Sequence, residues 1–266
     1  MTVTVSGSQL TFNDSSTQSS AQVGMKNRVI NGGFTINQRG YVTNTALSSG
    51  AYAHDRWKAG SSGCTYTFTQ GSLGVNTTIT ITAGSLIQVI EGCNLAEGGT
   101  YVLSWTGTAQ GRLNGGTYGS SGTVTVTSWT AGTNLNVEFN TGTVGSVQLE
   151  IGSTATSFDY RPYGTELALC QRYYQVVGGA NLSFYTEQYI SGNSIYLTGN
   201  GYFKVNMRSA PTVTLSGSYT TVNMTGSPVY IMNDNNFNAY WQGGASAGRA
   251  LFHVNAGSTL NFTSEL

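Results

Sequence analysis

Two stretches, Tyr101-Val102-Leu103-Ser104-Trp105 and Leu135-Asn136-Val137-Glu138-Phe139, decide the fold class. In each, a large apolar side chain returns at every second position. A strand turns successive side chains to opposite faces, so a period of two marks a strand with one buried face, whereas a helix would repeat every three to four residues. The same period recurs at Ile79 and Ile81, set among threonines, and at Val124 and Val126. Glycine turns such as Asn114-Gly115-Gly116 and Ala131-Gly132-Thr133 separate these runs at hairpin intervals. The pattern predicts an all-β chain built of antiparallel β-sandwich, jelly-roll-like domains.

Composition supports that reading and removes several function classes. Charged residues make up 8% of the 266, against about a quarter in ordinary domains, and the formal net charge is zero. No basic footprint for nucleic acid exists. Hydrophobic residues at 39% and aromatics at 11% are ample for packed cores, and 36 glycines supply tight turns. Cys64, Cys93 and Cys170 are odd in number and far apart, without zinc-ligand spacing, and read as buried thiols made in a reducing compartment. Met1 runs straight into alternating Thr2-Val3-Thr4-Val5, so neither a secretion signal nor a membrane span is expected.

One segment breaks the β pattern. Residues 165–178 contain good helix formers, with Leu167, Cys170, Tyr174 and Val177 at helical spacing, and predict a linking helix between two β-domains. The domains run over residues 25–164 and 179–266. Ile195 and Leu197 lead through Gly199-Asn200-Gly201 to Phe203, Val205 and Met207, a predicted hairpin. Residues 1–24 are too polar to bury a core of their own, yet Val3, Val5, Leu10 and Phe12 are apolar at strand positions; the segment reads as a short N-terminal docking arm.

Candidate chemistry is sparse. His54 and His253 fall in different predicted domains, with no nucleophile-elbow serine near either, and His54 reads as structural. Glu150 and Asp159 are expected to cap turns and pair with arginine, Arg161 and Arg172 to pair with acids or backbone carbonyls. No phosphate loop, cofactor motif or calcium loop is present, and Asx turns explain Asn233-Asp234-Asn235-Asn236. The chain reads as a non-enzyme with no cofactor and no metal. Sugars have apolar faces and hydroxyl rims, so a glycan site needs a ring flanked by amides or carboxylates. Asp234, Asn236, Tyr240, Trp241 and Gln242 supply both within one glycine-bounded run.

Several stretches together resemble phage tail-fibre and receptor-binding virion proteins. Residues 10–18, with Phe12, Asp14 and Gln18, resemble a fibre arm motif, Ser15 standing where glycine is usual. Residues 27–40 followed by His54-Asp55-Arg56-Trp57, with residues 147–164 running into Glu166-Leu167-Ala168-Leu169-Cys170-Gln171-Arg172-Tyr173-Tyr174, resemble a virion sandwich domain similar in outline to galactose-binding-like carbohydrate modules. Residues 207–214 and Ser264-Glu265-Leu266 resemble the C-terminal part of the same proteins.

The resemblance implies a homotrimeric virion subunit made in the host bacterial cytoplasm and displayed on the particle. Its arm, through Val3, Val5, Leu10 and Phe12, would attach to other virion proteins, and its C-terminal domain would contact host surface polysaccharide. A capsid decoration or collar protein without host binding is the rival reading, and a polysaccharide depolymerase a more distant one.

Overall fold

The computed structural model describes residues 4–6, 9–11, 17–18, 25–120, 122–178, 185–190, 196–243, 248–255 and 258–266. All described strand pairs are antiparallel. The chain divides into two compact units. The first comprises Met1–Thr35, Val42–Tyr52 and Trp57–Pro162; the second comprises Ile36–Tyr41, Ala53–Arg56 and Tyr163–Leu266.

Within the first unit, β1 (Thr4–Ser6), β2 (Gln9–Thr11) and β3 (Thr17–Gln18) form a small sheet of their own. The segment read as an arm therefore contains regular pairing. The main sheet system uses β4 (Lys58–Phe68), β5 (Ile79–Ile90), β6 (Gly99–Thr106), β7 (Gly111–Leu113), β8 (Thr123–Trp129), β9 (Leu135–Phe139) and β10 (Gly142–Ile151). Their order is β7-β9-β5-β10-β6-β8, with β4 also paired to β5. Strand β10 changes partner along its length. Gly142, Thr143 and Val144 pair with β5, and from Gly145 the strand pairs with β6, with a register shift between Gly145 and Gln148. A bulge bends its strand, which lets β10 pass from one layer into the other and nearly close the sandwich.

The alternating residues form the core as expected: Tyr101, Leu103, Leu135, Val137 and Phe139 are buried. Phe34, Trp57, Phe139 and Trp105 follow one another as ring neighbours, with centroids 5.0, 6.1 and 5.2 Å apart. Both indole N–H groups are satisfied, Trp57 donating to the Asn31 carbonyl at 3.0 Å and Trp105 to that of Ala109 at 2.9 Å.

Buried amides clamp the irregular entry to this core. Asn27 Oδ1 accepts from the N–H groups of Val29 and Leu149, and its Nδ2 donates to the Val147 carbonyl, each at 3.0 Å. Gln88 brackets Ile30 in the same way, at 2.9 and 2.7 Å. Arg161 donates to the carbonyls of Val29 and Asn27, the backbone branch of its expected roles. Glu150 accepts from Gln148 Nε2 and from the N–H and hydroxyl of Thr156, capping a turn as expected with these groups as its donors.

In the second unit the helix α1 spans Tyr163–Gln171, and residues 174–178 are not helical. They form β11 (Tyr174–Gly178), followed by β12 (Tyr185–Ile190), β13 (Tyr196–Tyr202), β14 (Thr212–Ser216), β15 (Tyr219–Val222), β16 (Met224–Met232), β17 (Asn236–Gly243), β18 (Gly248–Val254) and β19 (Thr259–Thr263). The predicted helix stops early because Tyr174, Val176 and Val177 are strand formers and β19 offers them a full ladder.

The sheets are β11-β19-β14, β12-β18-β15 and β13-β17-β16. The middle strands are three consecutive segments of the chain, flanked by two further sets of three. Phe203, Met207 and Phe237 share a core with Leu260 and Phe262 of β19.

The predicted hairpin at residues 199–201 is instead continuous strand: β13 runs through these residues opposite β17. Gly201 is there for packing rather than turning, since a Cβ at this position would collide with the Phe237 ring.

A buried polar network joins the short segments to Tyr173, to Tyr174 of β11 and to Glu265. Arg39 pairs with Glu265 at 3.0 Å and with Asp55 at 3.6 Å, and Arg56 pairs with Glu265. The two guanidinium groups lie over Tyr174 and Tyr173, 3.7 and 3.6 Å from the ring centroids. Gln38 donates to Asp55 through both its backbone N–H, at 2.6 Å, and its side chain, at 2.8 Å. His54 is fully buried, edge-on to Tyr41, which fits the structural role expected of it.

One expectation for the thiols fails. Cys64 and Cys170 are buried, but Cys93 is exposed. Burial pushes the Cys64 thiol up to about 12, far from reactive thiolate. No helix among the described residues is long and apolar enough to cross a membrane.

Candidate functional site

The asparagine run forms the β16–β17 connection. Asn233 Oδ1 accepts from the N–H groups of Asn235 and Asn236, both at 2.8 Å, and the Asn233 N–H donates to the Asn236 carbonyl at 3.1 Å. This is the Asx turn that the sequence predicted. The turn is held from below: the N–H groups of Phe203 and Met207 donate to the carbonyls of Asn235 and Asp234, at 3.0 and 2.6 Å. Phe203, Phe237 and Phe262 pack beneath it, with centroid separations of 5.6, 5.0 and 4.6 Å.

Strand parity divides the neighbourhood into a buried and an exposed face. Phe203 and Phe237 point inward. Tyr202 stands directly opposite Asn236 across β13 and β17 and is 78% exposed. Asp234, Asn235 and Lys204 are exposed nearby in sequence. A phenol ring open to water, in register with Asn236 beside the Asx turn, can stack on the apolar face of a sugar whose hydroxyls meet polar groups at its rim. The rigid turn lowers the ordering cost of such contacts.

The sequence-predicted residues fall as follows. Asp234 lies in the turn, and Asn236 begins β17. Tyr240, Trp241 and Gln242 lie further along β17, opposite Thr198, Leu197 and Tyr196. The period of two puts positions 236, 240 and 242 on one face of the sheet and position 241 on the face of Phe237. Tyr202 was missed. Its signal is its place directly before the apolar Phe203, where alternation leaves it facing outward.

Of the attachment residues, Val5 and Leu10 are brought into direct register between β1 and β2. Val3 and Phe12 lie outside the described residues. Among the described residues, no group of three or more His, Cys, Asp or Glu side chains is arranged to hold a metal ion.

No family model matches the chain. No curated protein matches it either. Two solved structures are similar in part. One is a cycloisomaltooligosaccharide glucanotransferase of Paenibacillus sp. in complex with cycloisomaltoheptaose, 7% identical, covering 82% of this chain and 47% of that one, with a TM-score of 0.25. The other is recombinant discoidin II of Dictyostelium discoideum, 10% identical, covering 86% of this chain and 91% of that one, with a TM-score of 0.19. At such TM-scores neither likeness carries an argument about what this chain does.

Proposed function

We propose that the chain is a non-catalytic virion protein, a homotrimeric subunit of a phage tail fibre or related receptor-binding appendage, contacting host surface polysaccharide through the face that holds Tyr202. The observation that carries the glycan reading is the exposed Tyr202 ring in register with Asn236 beside the Asx turn. The virion reading is supported by the resemblance of residues 10–18, 27–40 and 147–174, and by the low charge and β-rich build of a durable extracellular assembly.

In this reading the β1–β3 sheet, through Val5 and Leu10, faces other virion proteins, and threefold symmetry multiplies a weak single-site affinity. Sedimentation equilibrium of the purified chain should give three times the 28.1 kDa of one chain. Gold-labelled antibody on intact particles should mark the tail tip. A folded monomer at micromolar concentration contradicts the trimer, and labelling confined to the capsid or collar contradicts the receptor role.

A further inference from the structure

The dipeptide Asn-Gly occurs three times, at Asn31-Gly32, Asn114-Gly115 and Asn200-Gly201. Asparagine is a thermolabile residue, and most so before glycine, whose backbone nitrogen no side chain shields. That nitrogen can attack the amide carbon of the asparagine before it. The three sites differ in whether the fold permits the attack.

Two are closed. Asn31 is fully buried, its Oδ1 accepts from the Thr35 N–H at 2.8 Å, and a Cβ at Gly32 would collide with the Val147 carbonyl. Asn200 and Gly201 lie within β13, opposite Asn238 and Phe237, so ring closure there would break the pairing with β17.

Asn114-Gly115 is open. It forms the tip of the turn after β7, where the Gly116 N–H donates to the Leu113 carbonyl at 2.9 Å. The backbone φ is +46° at Asn114 and +74° at Gly115, and positive values at both central residues mark a type I′ turn. The Asn114 N–H is tied to the Asn136 carbonyl at 2.8 Å, whereas the Asn114 side-chain amide and the Gly115 N–H have no hydrogen-bond partner among the described residues. Residues 114–117 are all exposed, and no heavy atom lies within 4 Å of where a Gly115 Cβ would stand.

We propose that Asn114 is a site of spontaneous deamidation, with water as the co-reactant. The Gly115 nitrogen gives its proton to solvent and bonds to Asn114 Cγ. The Cγ–Nδ2 bond then breaks, and the nitrogen takes a proton back from solvent and leaves as ammonia. Water opens the cyclic imide at either carbonyl, leaving aspartate or isoaspartate, so an amide is exchanged for an acid with no oxidation or reduction. Isoaspartate adds a carbon to the main chain of a two-residue turn and so breaks the geometry of the Leu113–Gly116 hydrogen bond. The site uses no residue around Tyr202 and does not rest on the function proposed above.

The test holds the folded full chain in mildly alkaline buffer, with a parallel sample in guanidinium chloride, and weighs the peptides of a later digest. Isoaspartate is read by methyl transfer from a protein isoaspartate methyltransferase. In the folded chain the peptide holding Asn114 should gain the mass of one amide-to-acid conversion and accept methyl groups, about tenfold faster or more than the peptides holding Asn31 and Asn200. Asn114→Gln should abolish the gain in its own peptide. The proposal is overturned if the Asn114 peptide of the folded chain stays unchanged while that of the unfolded chain converts, if Asn31 or Asn200 converts as fast in the folded chain, or if the Asn114→Gln peptide gains mass equally.

Discussion

At the scale of single residues, the Arg56–Glu265 ion pair is buried. Arg56 is 1% exposed and Glu265 6%, in side-chain terms. Removing one partner of such a pair leaves the other as an uncompensated buried charge, which costs about 3–5 kcal/mol. Glu265→Ala should therefore lower the unfolding free energy by about 3 kcal/mol in urea titration; a loss under about 1 kcal/mol would be what an exposed pair gives.

Asp55 gives a pH signature. Burial pushes its carboxyl above the ordinary aspartate value, against the opposing pull of Arg39 and the Gln38 donors. The folded chain holds this proton to higher pH than the unfolded chain does. The site's contribution is then most favourable below the ordinary aspartate value and shrinks as pH rises through the raised one. Asp55→Asn cannot ionise, so its stability should vary less with pH across that window. An unchanged slope would contradict the assignment.

These residues also show what the sequence could and could not reveal. His54-Asp55-Arg56-Trp57 was legible as a motif, but not that Trp57 fills the core of one unit while His54, Asp55 and Arg56 belong to the other. Glu265, the partner that Arg39 and Arg56 share, lies more than 200 residues from either, and no local pattern carries such a pairing.

At the scale of elements, alternation was a reliable guide wherever one face is buried. Tyr101, Leu103, Leu135, Val137 and Phe139 were readable as core because a one-residue slip would expose them all. Glycine misled. Gly199 and Gly201 resemble a turn, yet β13 is straight through them, because Gly201 makes room for the ring of Phe237. The consequence is testable. Gly201→Ala should force the ring to shift and destabilise the second unit by about 1–3 kcal/mol, measured by thermal unfolding. If residues 199–201 were a turn, alanine would be nearly neutral.

The helix boundary failed for a related reason. Leu167, Cys170, Tyr174 and Val177 keep helical spacing, but tertiary pairing with β19 overrides it from Tyr174 onward. The candidate site was half legible. Asp234 and Asn236 stand out as polar groups in one glycine-bounded run with Tyr240 and Trp241, whereas Tyr202 becomes a neighbour of Asn236 only through the pairing of β13 with β17.

At the scale of the whole molecule, the two units are interleaved along the chain, which passes from one to the other after residues 35, 41, 52, 56 and 162. The sequence suggested beads joined by a helix. The second unit instead takes Arg39, Asp55 and Arg56 from segments made long before its own strands. A fragment of residues 163–266 should therefore lack the cooperative unfolding transition of the full chain. A sharp transition at the full chain's temperature would show that the short segments are dispensable.

In the proposed function, Tyr202 and Asn236 present the glycan-contacting face of a host-attachment protein. Purified chain, added in excess to host cells before the phage, tests it most directly. The wild-type chain should block adsorption, and Tyr202→Ala and Asn236→Ala, both retaining the β-sheet circular dichroism of the parent, should not. A wild-type chain that fails to compete, or a Tyr202→Ala chain that competes equally well, would contradict it.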